Sequence, residues 1–233
     1  GISTIEDIDL NTLGSIEVLK GPSSSVYGSG LGGTIQLIPD KGLFTTNYFS
    51  TSYSLGSFGL QKYLFQSDIG NSNNNAKITY SNLQREGYRK NNDTKRQSIS
   101  VASNHFINSS NKLTFVGTFT DLKAYIPSSL NLDNYTNNPT SAAYTWGRAQ
   151  GFESYKRALF GLSWNHNYTD KTLQKTSVFG SFLDAYEPRP FNILKESIFG
   201  IGVRTRVMSK TTLFDKNIKW TFGGELFSDA NSY

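Results

Sequence analysis

Cysteine is absent from the 233 residues, methionine occurs once and histidine twice. Without thiols there is no disulfide framework, no thiolate nucleophile and no zinc–thiolate centre. The two histidines, His105 and His166, stand in separate strand-like segments without a spaced carboxylate. They read as ordinary lumen or surface residues rather than metal ligands, so neither a metal nor any other cofactor is expected. No G-x-S-x-G and no acid/base constellation is present, which leaves an enzyme as the least supported class. Long apolar runs are missing too. Hydrophobic residues make up 36% of the chain and the mean hydropathy is -0.42, so no window approaches the ~20 apolar residues of a membrane-spanning helix. The charge excess is small, with 23 Lys and Arg against 18 Asp and Glu for a net +5. That balance mildly favours anionic partners, but no basic stripe is interleaved with stacking aromatics, and nucleic acid is not an expected partner.

Aromatic residues, by contrast, are plentiful: 16 Phe and 13 Tyr. That content argues against a disordered polar chain. From about residue 42 onward the pattern has period two. In LTFVGTFTD, Leu113, Phe115, Gly117 and Phe119 alternate with Thr114, Val116, Thr118 and Thr120. GIGVRTRV sets Ile201, Val203, Thr205 and Val207 against Gly202, Arg204 and Arg206, and KWTFGGEL sets Trp220, Phe222 and Leu226 against Lys219, Thr221 and Glu225. Each segment reads as a strand with an oily and a wet side. Rougher alternation brings the candidates to roughly nine strands of ~10 residues, with FTTNYFSTSYSLG alternating poorly.

Short polar turns (NSNNN, NSSN, YTDK and the SKTTLFDKN region) alternate with longer segments: REGYRKNNDT, the stretch from Lys123 to Gln150, and EPRPFNILKE. GSFG, from Gly56 to Gly59, is a short exception. Short turns at one end and long loops at the other are the pattern of a transmembrane antiparallel β-barrel, favoured here over a soluble sandwich. The expected fold is all-β.

The stretch IEVLKGPSSSVYGSGLGGTIQLI contains G-x-G-x-x-G at Gly28, Gly30 and Gly33. A phosphate loop of that form must open a helix. Here Thr34, Ile35 and Ile38 lead into Pro39, a short strand and a turn, so the glycines are expected to serve tight turns and close backbone packing. The same stretch resembles the C-terminal part of the plug domain of TonB-dependent outer-membrane receptors. The resemblance is carried by Ile16, Glu17, Val18, Leu19, Lys20, Gly21, Pro22, Tyr27, Gly28, Gly30, Gly32, Gly33 and Ile35. It implies that residues 1–41 end a plug and residues 42–233 begin a barrel. Barrels of that family have roughly 22 strands around a plugged lumen. The resemblance thus implies a middle fragment, with the energy-coupling segment and most of the plug before Gly1 and further strands after Tyr233.

The function implied is active import across a Gram-negative outer membrane: the plug blocks the pore, cargo binds between plug and extracellular loops, and the TonB complex pulls on the plug. Gly21 and Pro22 stand where the glycan-importing branch tends to carry an acidic Asp-Ala, so the stretch is similar to the iron-chelate and siderophore branch. The segment from Asn137 to Trp164 resembles iron-complex receptors of Bacteroidetes-type bacteria. Ferric chelates are the expected cargo, with cobalamin, haem and oligosaccharides as alternatives. A secreted β-rich adhesin is a competing class that the plug-like stretch disfavours. A signal-transducing receptor is a third, on which the sequence is silent. Candidate cargo contacts are Tyr125, Tyr135, Tyr144 and Trp146 as aromatic surfaces and Arg148 as a cation; Tyr144 and Trp146 suit an interfacial aromatic girdle equally well, with the other residues packing the loop. Arg204, Arg206 and Glu225 are expected to face the lumen and to be available to plug groups such as Glu17 or Lys20. Lys20 stands where relatives often carry arginine, which removes a bidentate fork.

Overall fold

The computed structural model describes residues 8–21 and 32–232. A 3-10 turn, Leu10–Thr12, leads into β1 (Leu13–Lys20), which pairs antiparallel with β2 (Gly33–Pro39) as a two-stranded sheet. Nine further strands form one antiparallel sheet in chain order: β3 (Tyr48–Gly56), β4 (Leu60–Gly70), β5 (Asn74–Arg85), β6 (Thr94–Phe106), β7 (Asn111–Tyr125), β8 (Phe152–Thr169), β9 (Thr172–Pro188), β10 (Ile193–Leu213) and β11 (Lys216–Ser232). The connection from β7 to β8 carries two short helices, α1 (Leu132–Asn137) and α2 (Tyr144–Ala149).

Because side chains alternate across a strand, the register sorts the whole sheet into two faces. Lys62, Lys77 and Arg96 touch the β1–β2 unit and mark the inner face. Through paired positions the same face carries Leu122, Tyr155, Leu183 and Ile198, and then Arg204, Arg206 and Glu225. Leu122, Tyr155 and Leu183 are buried together against Ala124, Ala185 and Ile198. The outer face is an apolar band. One transverse row reads Ile99, Phe119, Ala158, Phe182, Phe199; the next Val101, Gly117, Phe160, Gly180, Ile201; the third Ser103, Phe115, Leu162, Val178, Val203. At Gly180 a Cβ would meet the Phe160 ring at 2.5 Å, so the ring of Phe160 lies over the bare backbone. With ~6.8 Å per two residues, these rows and the bounding row of Leu113 and Trp164 extend on the order of 20 Å along the strands, the scale of a bilayer-facing band.

The expected alternation of connections holds with one correction. Turns at 71–73, 107–110, 170–171 and 214–215 lie at one end, and connections at 57–59, 86–93, 126–151 and 189–192 at the other. EPRPFNILKE is not a long loop. β9 runs to Pro188 and β10 resumes at Ile193, with Arg189 N–H bonded to the Asn192 carbonyl at 2.9 Å. Leu194, Lys195 and Glu196 continue the ladder opposite Glu187, Tyr186 and Ala185, and Pro188 sits at a strand end where its missing N–H breaks little of the pairing. The strands of the nine-stranded sheet therefore run from 9 to 21 residues rather than ~10, the extra length standing beyond what a bilayer crossing needs. The poorly alternating segment resolves as well: β3 starts at Tyr48, and Phe49, Thr51, Tyr53 and Leu55 face outward with Ser50, Ser52 and Ser54 inward.

Candidate functional site

Two carboxylates, Asp9 buried and Asp40 partly exposed, tie the β1–β2 hairpin to the inner wall. Asp9, only 4% exposed, caps the short turn by accepting from Asn11 N–H at 3.1 Å and Asn11 Nδ2 at 2.8 Å. The same carboxylate accepts from Lys62 Nζ at 2.9 Å on β4 and Arg96 Nη2 at 3.3 Å on β6. Burial alone would raise the Asp9 carboxyl, but the Lys62 ammonium, the Ser81 hydroxyl beside it and Asn11 outweigh burial and hold the group well below the usual carboxylate range. Asp40, after β2, accepts from Lys77 Nζ at 2.7 Å and from Gly42 N–H at 3.0 Å, and Lys77 also lies 3.5 Å from Asp68. Burial again pulls upward and is again outweighed, so the Asp40 carboxyl is also lowered. Asn75 Nδ2 donates to the carbonyls of Lys41 and Gly42 at 2.8 Å each. Between hairpin and wall lies a cavity of about 260 Å³ lined by Leu13, Leu37, Thr79, Ser100 and Val116 among others.

Within the motif, Ile16, Glu17, Val18, Leu19 and Lys20 form β1 and are exposed, and Gly21 follows at φ +93°. Gly33 opens β2 opposite Lys20, at φ +135°, where a Cβ would collide with the Leu19 carbonyl oxygen. Only glycine fits there. Gly32 precedes it, while Pro22, Tyr27, Gly28 and Gly30 lie outside the described residues. Among the described residues, the wall charges meet one another rather than Glu17 or Lys20. Arg204 is opposite Glu225 and forms an ion pair with it, and Arg206 is opposite Lys175 on β9.

At the long-loop end, Arg89 organises the connection from β7 to β8. Its Nη1 donates to the Ser128 carbonyl at 2.6 Å, its Nε to Ser141 at 2.9 Å and its Nη2 to Pro127 at 3.2 Å. Asn91 Nδ2 donates to Ile126 and Gly151, closing the base of the loop at 2.8 and 3.0 Å. Onto this frame α2 brings Tyr144 and Arg148 together one helical turn apart. Arg148 lies 5.6 Å over the Tyr144 ring and donates to its hydroxyl at 3.2 Å, with Tyr144 75% exposed. Trp146 is half-buried on the same helix. Tyr135 is separate, exposed at a cleft shared with Tyr88, Arg89, Leu132 and Pro139. Tyr125 belongs to neither group. It stands on the outer sheet face, its ring centroid 5.5 Å from that of Phe152. The residues on the sheet that fit an aromatic girdle are thus Tyr125, Phe152 and Tyr186 at one end and Trp164, His166 and Tyr168 at the other, not Tyr144 and Trp146 on the loop. His105 and His166 both face outward beside asparagines, Asn74 and Asn111.

Asp9, Arg89 and Asn91 escaped sequence reasoning. D-L-N-T at residues 9–12 is a capping pattern that could have drawn notice to Asp9. Arg89 and Asn91 bind backbone carbonyls 35 to 60 residues away, and nothing in their local sequence signals it.

An antiparallel sheet with an apolar outer band, a polar inner face and a hairpin held on that inner face has the fold of part of a TonB-dependent outer-membrane receptor. No family model matches the sequence. Among solved structures, the chain is similar to the ferric-catecholate import receptor Fiu from E. coli K12 in its open form, at 13% identity and TM-score 0.75, covering 93% of this chain and 39% of that one. It is similar to the unliganded ferric citrate transporter FecA at 12% identity and TM-score 0.82, covering 97% and 35%. Against the siderophore receptor PiuA from Acinetobacter baumannii the values are 12% and 0.74, covering 94% and 35%. The likeness is one of fold, and the chain spans well under half of each of these proteins.

Proposed function

We propose that this chain is the plug end (residues 1–41) and the first barrel strands (42–233) of a receptor that imports a ferric chelate across the outer membrane of a Gram-negative bacterium, powered by the TonB complex. The observation that carries the reading is the buried anchorage of the β1–β2 hairpin on the inner wall through Asp9, Lys62 and Arg96. A hairpin fixed inside a membrane-facing sheet blocks a pore and must be displaced for cargo to pass. The chelate is supported by the Gly21–Pro22 form of the motif, by the ferric-chelate receptors that share the fold, and by the exposed Tyr144–Arg148 pair, which offers an aromatic face and a cation to an anionic complex. No bond in the cargo is made or broken. The deciding experiment is uptake of a radioactive ferric siderophore panel by cells with and without the full-length protein, with TonB intact or deleted. Accumulation that needs both supports the reading and names the chelate. A protein located in the outer membrane that accumulates no iron overturns the cargo assignment and turns the search to cobalamin, haem or glycans.

A further inference from the structure

Near the short-turn end, the inner face gathers cations from four segments. Lys112 on β7, Asn165 on β8, Lys175 on β9 and Arg206 on β10 stand directly opposite one another in turn, and Arg204 lies two residues along β10 from Arg206. Like charges directly opposite, as Lys175 and Arg206 are, destabilise a sheet. Lys41, just after β2, approaches from the hairpin side, so that Arg206, Lys41, Arg204 and Lys112 all repel Lys175. Arg204 has a carboxylate partner in Glu225. Among the described residues, Lys41, Lys112, Lys175 and Arg206 have none within ion-pair distance, although all four are half-buried, a setting in which lysine and arginine are ordinarily paired. Asp40, beside Lys41 in the chain, is taken by Lys77. Asn165 does not absorb the charge either: its Oδ1 is buried without a hydrogen-bond partner, so neither flanking lysine donates to it. Lys175, Arg204 and Arg206, with Ser177 and Phe179, line a concavity of about 90 Å³, room for about three waters at ~30 Å³ each. Arg204 is fixed at its edge by Glu225 and by the Phe179 ring, whose centroid is 5.9 Å away.

We propose that this concavity is an anion site on the inner wall, which holds carboxylate or phenolate oxygens of the cargo in transit, before it leaves at the short-turn end. The inference rests on the import reading above. Tyr144 and Arg148 lie in the connection at the opposite end of the strands, so a cargo that first meets them passes this row on its way out. An anion supplies the counter-charge that Lys175 and Arg206 lack, Arg206 offering a planar fork and Lys175 a point charge, while Phe179 gives an apolar floor. The occupant comes from outside the hairpin, since what the hairpin end brings here, Lys41, is a further cation. Partial exposure keeps the hold weak enough for release.

The test is lysine footprinting of the full-length protein in detergent micelles, with acylation of Lys112 and Lys175 followed by mass spectrometry in citrate, in glucose as a neutral probe, and in neither. Citrate is expected to slow both lysines saturably and glucose to leave them unchanged, with Lys95, exposed on the outer face, indifferent to both. Arg206→Gln is expected to raise the citrate concentration that half-protects Lys175 about tenfold, the loss of one charged hydrogen bond. Absent protection, equal protection by glucose, or a half-point unmoved by Arg206→Gln overturns the proposal. So does a Lys175 that reacts without any probe as slowly as Lys77, which two carboxylates hold, because a carboxylate from elsewhere in the chain then fills the site. Transit is read in cells. K175Q/R206Q is expected to bind the chelate that the uptake panel names as wild type does when TonB is deleted, and to accumulate it severalfold more slowly when TonB is intact. Equal accumulation overturns the transit role. Absence of accumulation by wild type overturns the import reading itself, and the citrate footprint, which needs no transport, tells that result apart from failure of the anion site.

Discussion

The carboxylate of Asp9 and the ammonium of Lys62 lie 2.8 Å apart across 53 residues of chain. Asp9 is almost fully buried and Lys62 largely so. Arg96, two strands further on, shares the same carboxylate. One aspartate thus joins the β1–β2 hairpin to two strands of the large sheet, in a setting where removal of one partner strands buried charge.

Substituting Asp9→Asn is expected to weaken hairpin anchorage by about 3 to 5 kcal/mol, because Lys62 loses its counter-charge while staying largely buried and Arg96 loses one of its partners. Hydrogen exchange of the β1 and β2 amides in the full-length protein should speed up, with exchange in β7 to β9 unchanged. Unchanged protection of β1 and β2 would contradict the anchoring role.

The lowered Asp9 carboxyl fixes the sign of a pH dependence. A group whose folded value lies below its unfolded one stabilises fully above the unfolded value, about 4, and loses that contribution as pH falls below it toward the folded value. Acidification below about pH 4 is therefore expected to loosen the hairpin in wild type. In the Asn variant the same acid step should have a smaller effect on β1 and β2 exchange.

Val203 and Arg204 are chain neighbours on opposite faces, Val203 in the apolar band and Arg204 paired with Glu225. Val203→Arg is expected to destabilise folding into vesicles by about 2 to 4 kcal/mol. Arg204→Ala removes a partly exposed ion pair and should change it by less than about 1 kcal/mol. Equal losses in urea titrations of the two variants would refute the assignment of faces.

Arg89→Lys is expected to free the connection from β7 to β8 almost as much as Arg89→Ala does. A lysine cannot reproduce the fork that reaches three carbonyls of the loop at once. Each charged hydrogen bond of this kind is worth about 1.5 to 3 kcal/mol, so limited proteolysis between α1 and α2 should accelerate in both variants. Resistance restored by lysine would mean that charge alone, not the planar geometry, holds the loop.

The β10–β11 turn places Phe214 and Asp215 at φ +51° and +57°, a two-residue turn that favours Asn-Gly. Phe214→Asn with Asp215→Gly is expected to stabilise the hairpin by about 1 kcal/mol, read as a higher urea midpoint.

What the sequence determined by itself is what alternation and local sterics dictate. Period two in Ile201 to Val207 and in Leu113 to Thr120 assigned inner and outer faces that the register reproduces, since a strand's side chains alternate whatever its partners are. The spacing of turn residues located the short-turn end, and Gly33 showed a position where no Cβ fits, because a positive φ against a facing carbonyl is a local constraint. Strand length was less legible: polar and charged residues such as Glu187 and Lys195 look like loop but extend the ladder, where main-chain pairing outweighs local polarity. Tertiary structure alone decided which charges meet. Whether Asp9 or Glu17 reaches the wall and whether Arg204 pairs with the β1–β2 hairpin or with Glu225 depend on register summed over nine strands and on how the hairpin seats in the sheet. Those are relations between distant segments, and no local pattern of residues encodes them.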